Sequence, residues 1–154
     1  MGDVHTAEVR SRNMAAIRAK DTQPELALRR ALHAAGFRYR LHVTSLPGRP
    51  DIVLPKYRAV VMVHGCFFHG HDCRTFRWPA TRKDFWRRKI QGNRDRDYTV
   101  DQALRRSGWR VITVWECALR GKRSTRLLRL ASITAWLRGN EEHADVSGPS
   151  DADN

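Results

Sequence analysis

No apolar run in this 154-residue chain approaches the roughly 20 residues that a bilayer-crossing helix needs. The first 13 residues are polar and lack the apolar centre of a secretory signal, so a soluble, cytoplasmic protein is expected. Cysteines are few. Cys66, Cys73 and Cys117 cannot all pair, and a reducing compartment would keep them as thiols, which favours metal ligation over disulfides. For Cys117 alone, an ordinary buried thiol is the plain alternative. Internal repeats are absent. Acidic groups are scarce, 16 against 29 Lys and Arg, for a net charge of +13. Residues 141–154 hold five of those acids and no Lys or Arg, which leaves residues 1–140 with 29 basic against 11 acidic groups, a net +18. A folded domain that basic repels itself unless it meets a polyanion, and nucleic acid is the first choice. An anionic membrane surface would want a basic helix with a wide apolar face, and none is evident.

What the chain does have is a crowded stretch, His64-Gly65-Cys66-Phe67-Phe68-His69-Gly70-His71-Asp72-Cys73. It holds three of the seven histidines, two of the three cysteines and two adjacent phenylalanines. An apolar run, Ala59-Val60-Val61-Met62-Val63, leads into it.

Along the chain, residues 1–20 read as a basic arm lying on a partner, 21–139 as one domain, and 140–154 as a flexible acidic tail. Thr22-Gln23-Pro24-Glu25 has the form of a capping box and predicts a helix with Leu26, Leu28, Leu32 and Ala35 inward and Arg29 and Arg30 outward. Gly36 stops it, and Phe37 to His42 alternates as a half-buried strand. The turn-rich Ser45–Asp51 loop leads into Ile52-Val53-Leu54, and a tight connection through Tyr57 returns the chain along Arg58–Val63. Asp51 then stands at the mouth of a hairpin whose second strand ends at His64. Lys83 to about Arg106 predicts a helix with an interruption near Gly92, Trp109–Trp115 a buried strand, and Ser124 the cap of a last helix closed by Gly139. That last helix has Leu127, Leu128, Leu130, Ala131, Ile133, Trp136 and Leu137 as its apolar set. The order α-β-β-β-α-β-α predicts an α/β fold, a mixed sheet with helices on its faces.

Cys66, His71 and Cys73 lie close enough for one loop to wrap a metal, and Cys117, following a strand that can neighbour Arg58–Val63, supplies a fourth ligand. Thiolates with imidazole suit tetrahedral Zn²⁺, and four protein ligands make a structural site. His64 and His69 remain outside that shell beside Asp51. A carboxylate binds Mg²⁺ through hard oxygen, and imidazole titrates near neutrality, so these are the parts for hydrolysing a phosphodiester. Phe67 and Phe68 either plug the core or, with Trp86, push between DNA base steps, which is easiest where pairing is already weak.

Several stretches carry a resemblance. Asp3-Val4-His5, Arg12-Asn13-Met14, Ser45-Leu46-Pro47-Gly48-Arg49-Pro50-Asp51, His64-Gly65-Cys66-Phe67, Pro79-Ala80-Thr81-Arg82, Gly108-Trp109-Arg110-Val111 and Val114–Gly121 look like the very short patch repair (Vsr) endonuclease family, in order from about residue 3 to 138. The resemblance implies a variant of the restriction-endonuclease core. It implies a Mg²⁺-dependent nickase that cuts duplex DNA 5′ of the thymine in a T:G mismatch left by 5-methylcytosine deamination. Carried over, Asp51 and the main-chain carbonyl of Val63 hold Mg²⁺, His69 is the general base, and His64 is a second catalytic imidazole. Glu25 acts from the second coordination shell. Cys66, His71, Cys73 and Cys117 bind structural Zn²⁺; Phe67, Phe68 and Trp86 intercalate; Met14 clasps the minor groove. A bacterial monomer is implied, with mismatch-repair proteins and a cytosine-5 methyltransferase system as further partners.

The chain departs from the family pattern at Val63, where Thr is usual and only a carbonyl role survives. Phe68 replaces Trp with a smaller ring, and Gly70 replaces a further histidine. The acidic-residue-and-lysine pattern that nucleases of this fold carry on the second strand is replaced by Val63 and His64. Two rival readings stand beside the nickase: a non-catalytic zinc-stabilised DNA-binding module, and a nuclease of the same fold acting on ordinary duplex DNA. Asp51 argues against the first, because a carboxylate beside a phosphate repels it.

Overall fold

The computed structural model describes residues 22–74 and 76–148. The expected N-terminal arm, with Met14, lies outside those residues. Helix α1 (Gln23–Ala34) begins where Thr22 accepts a hydrogen bond from the Glu25 amide, 3.4 Å. Three strands follow, β1 (Arg40–Leu41), β2 (Ile52–Leu54) and β3 (Ala59–His64). Helix α2 (Lys83–Arg106) crosses to β4 (Arg110–Trp115), and α3 (Arg123–Arg138) crosses to β5 (His143–Val146).

The five strands form one sheet in the order β1-β2-β3-β4-β5, antiparallel across the first three and parallel from β3 to β5. Period-2 alternation sorts the side chains onto two faces. Ile52, Leu54, Ala59, Val61, Ile112 and Val114 meet Leu28 and Leu32 of α1 and Ile133 and Leu137 of α3 in the main core. Val53, Val60 and Val111 point the other way, onto Leu104 of α2. His64 shares the parity of Val60, so the sheet sends it to the α2 side.

The mixed α/β sheet accords with expectation; several details do not. Residues 143–146 form an edge strand rather than part of a flexible tail, with Val146 opposite Val114 and 8% exposed in the core. Two inward apolar residues, Ala144 and Val146, outweigh the acids around them. Only Arg40 and Leu41 of the expected Phe37–His42 strand pair with a neighbour, since His42 turns to a left-handed φ of 46°. On α1, Arg29 is buried and Ala35 is exposed. Helix α2 runs through Gly92 without a break. Lys122, not Ser124, is the N-cap of α3, and Leu127 and Leu128 face solvent instead of the core, as does Ala131. No helix among the described residues is long and apolar enough to cross a membrane.

Candidate active site

The β2–β3 hairpin puts Asp51 beside Val63, as its sequence position requires, and the Val63 amide donates to Asp51 Oδ2 at 2.8 Å. The loop before Asp51 is held against α2 by Gly48, whose φ is +74°; a Cβ there would lie 2.4 Å from Val100 Cγ1. Behind Asp51, Glu25 is buried at 2% exposure and pairs with Arg29 at 2.7 Å and with His42 Nε2 at 3.1 Å. Its carboxylate therefore turns inward instead of closing the capping box suggested by the sequence. His42 Nδ1 lies 3.9 Å from Asp51 Oδ1, and its amide donates to the Asp51 carbonyl at 3.2 Å. Burial pushes the Asp51 carboxyl up to about 6, against the opposing effect of the Val63 hydrogen bond. A half-buried carboxylate thus faces a cavity, and this suits a hard divalent cation such as Mg²⁺. Arg29 already offsets Glu25, which makes Asp51 the better oxygen ligand.

His64 and His69 stack in parallel, ring centres 4.0 Å apart. His69 Nδ1 meets Asp97 Oδ2 at 2.5 Å, and His64 Nε2 lies 3.9 Å from Asp97 Oδ1. Burial, with the neighbouring His69, lowers His64 to about 4, so it is neutral at pH 7. Asp51, Val63, His64, His69 and Asp97 all line one cavity of about 820 Å³. Asp97 was not among the sequence-derived candidates. Its only sequence signal is a place in the alternating Arg94-Asp95-Arg96-Asp97 run of a helix.

Cys66, His71, Cys73 and Cys117 bring one ligand atom each to within 4.8 Å of one another. The parallel pairing of β3 and β4 achieves this by setting His64 opposite Trp115, two residues before Cys117. A hydrogen bond shared between their sulfurs pushes Cys66 up and Cys117 down, while burial lowers His71. Three sulfurs and a neutral imidazole closing on one point are the donor set that Zn²⁺ fits. Trp115 stacks on His71 at 4.0 Å and 5° and stands edge-on to His64 and His69, at 5.3 and 6.1 Å. The sequence reading missed this shared wall.

Phe67 packs edge-on against Phe68 and Trp86, at 5.1 and 5.0 Å, and all three rings are half-buried. They form one cluster beside the site, neither sunk in the main core nor standing free. Helix α2 also grips the loop: Asn93 donates to the Phe68 carbonyl at 2.8 Å, and Arg94 donates to the His69 and Gly70 carbonyls.

Comparison with known proteins bears on the chain as a whole. The family model for DNA mismatch endonuclease Vsr matches residues 2–75. DNA mismatch endonuclease Vsr of Escherichia coli K12 is 44% identical over 147 residues, covering 95% of this chain and 94% of that protein. Type II nicking enzyme V.XorIIP of Xanthomonas oryzae pv. oryzae is 50% identical over 119 residues, 77% of this chain and 88% of that one. Type II nicking enzyme V.NmeAIP of Neisseria meningitidis is 43% identical over 134 residues, 84% and 96%. With a relative so similar along nearly its whole length, the chain belongs to the Vsr family of DNA mismatch endonucleases.

Proposed function

We propose that the chain nicks one strand of duplex DNA on the 5′ side of the thymine in a T:G mismatch, by Mg²⁺-dependent hydrolysis of a phosphodiester. The observation that supports this best is the meeting of Asp51 with the His64–His69–Asp97 cluster in one cavity of a basic Vsr-family chain. Asp51 and the Val63 carbonyl would hold Mg²⁺, which when bound offsets the negative charge developing on the phosphorane. Asp97 fixes the tautomer and plane of His69 through Nδ1, leaving Nε2 to take a proton from the attacking water. His64, kept neutral by burial, is the second imidazole beside the phosphate. Glu25 orders the rear of the site through its contacts with Arg29 and His42.

Zn²⁺ held by Cys66, His71, Cys73 and Cys117 would fix the loop that carries the histidines and would take no part in the chemistry. Phe67, Phe68 and Trp86 leave their mutual cluster to enter the base stack, at least energetic expense where a wobble pair is already weak. The arm of residues 1–20 would add Met14 from the minor groove. A bacterial monomer acting alongside mismatch-repair proteins and a cytosine-5 methyltransferase completes the reading.

The test is cleavage of matched T:A and mismatched T:G duplexes with Mg²⁺. Nicking of the T:G substrate alone, lost in Asp51→Ala, is expected. Equal cutting of both duplexes makes the chain a general nuclease. No product from the unaltered, zinc-loaded chain makes it a binding module.

A further inference from the structure

We propose that the C-terminal stretch His143–Gly148 is a working part of the thiolate centre, positioning two of its four ligands and so setting how tightly the ion is held. The proposal rests on the zinc reading above. It begins with β5, which is parallel to β4 and anchored by Val146 in the main core. One residue earlier, Asp145 Oδ1 accepts a hydrogen bond from Trp115 Nε1 at 2.9 Å. That indole lies flat on His71, 4.0 Å away and 5° from parallel, and so fixes the plane of a ligand ring.

Two residues after Val146, the Gly148 amide donates to Cys117 Sγ at 3.2 Å. A Cβ at Gly148 would lie 2.5 Å from the Cys117 carbonyl oxygen and 2.9 Å from its carbonyl carbon. Only glycine allows that amide so close. An N–H aimed at a thiolate offsets its charge, and groups that orient metal ligands from outside tune metal affinity. One short segment thus reaches a sulfur through its backbone and an imidazole through Trp115. The same indole stands edge-on to His64 and His69, so the segment also reaches the catalytic pair at second hand.

Zinc affinity, measured by competition with a chromophoric chelator, tests this in the full chain carrying Gly148→Ala, Asp145→Ala or Asp145→Asn. The unaltered chain should hold one zinc. Gly148→Ala and Asp145→Ala should each weaken binding about 10-fold or more, whereas Asp145→Asn, which keeps an acceptor oxygen, should stay near the unaltered value. In the Co²⁺-substituted protein, Gly148→Ala should also shift the thiolate-to-metal charge-transfer absorption. If Gly148→Ala does not fold, the Asp145→Ala and Asp145→Asn pair decides alone, because Asp145 is exposed. Zinc affinities within about twofold of the unaltered chain for the folded variants overturn the proposal and leave the zinc reading intact, since a loss at the 10-fold level is the smallest that such groups typically cause. An unaltered chain that takes up no zinc overturns both.

Discussion

Asp51 and His64 share a cavity wall and titrate with opposite consequences. Burial raises Asp51 from 3.8 to about 6 and lowers His64 from 6.5 to about 4. The folded chain holds the Asp51 proton to higher pH than the unfolded chain does, so this group destabilises the fold progressively as pH rises from 3.8 through about 6. The stability associated with neutral His64 is full above 6.5 and lost as pH falls towards about 4. Each shift is worth about 3 kcal/mol, so the two largely mask one another between pH 4 and 6. Without added divalent ion, Asp51→Asn should therefore stabilise the chain at pH 8 by up to about 3 kcal/mol in urea unfolding. That difference should vanish near pH 3, while cleavage is abolished. Equal or lower stability at pH 8 would mean that burial is not what governs Asp51. In the proposed mechanism Asp97 acts through His69, 2.5 Å away, so Asp97→Asn should leave DNA binding intact and reduce single-turnover cleavage by about 10²-fold or more, the lower range for a misaligned general base. An unimpaired rate would make the His69–Asp97 contact incidental.

The elements explain why these residues meet. Asp51 is placed by a loop lying on α2 at Gly48, where the positive φ and the 2.4 Å approach to Val100 both exclude a side chain. Gly48→Ala should lower stability by about 1–3 kcal/mol, read as a drop in melting temperature, and should reduce cleavage as the loop lifts Asp51 away. Preserved stability and rate would show that the loop yields without moving the carboxylate. Helix α2 is the second organiser. Asn93, Arg94 and Asp97 take hold of three successive residues of the loop after β3, Phe68, His69 and Gly70. Gly70 is pressed on the same helix, with φ +59° and Ile90 Cγ2 2.5 Å from where a Cβ would lie, so a side chain there would be strained and crowded.

At the scale of the whole molecule, the charge of +13 is what brings a cavity of acids and imidazoles to a polyanion. Non-specific affinity should fall linearly on a plot of log K against log salt, with a slope of about −4 or steeper, as expected when about five phosphates are neutralised. Fluorescence anisotropy with a matched duplex measures this, and a slope near zero would remove the electrostatic account. On the proposed function, a preference for T:G should survive in higher salt, because wedge insertion and base contacts would be screened far less than phosphate contacts.

The sequence by itself determined the local parts: the hairpin that sets Asp51 against Val63, the histidines at its end, and a cysteine–histidine set spaced to close on one ion. These follow from turn chemistry, alternation and short spacings, all of which act within a few residues. Its motifs were also long enough to show the family. Only the tertiary structure decided which distant groups complete the site. Asp97 is 28 residues from His69, and helical period says which face it occupies but not which loop lies over that face. Arg29 read as a surface cation because His42 meets it only once α1 has packed against the chain that follows it, and the same packing buries its one-turn neighbour Glu25. The acids of residues 141–145 hid the two apolar residues that make β5, and with β5 the contacts of Asp145 to Trp115 and of Gly148 to Cys117.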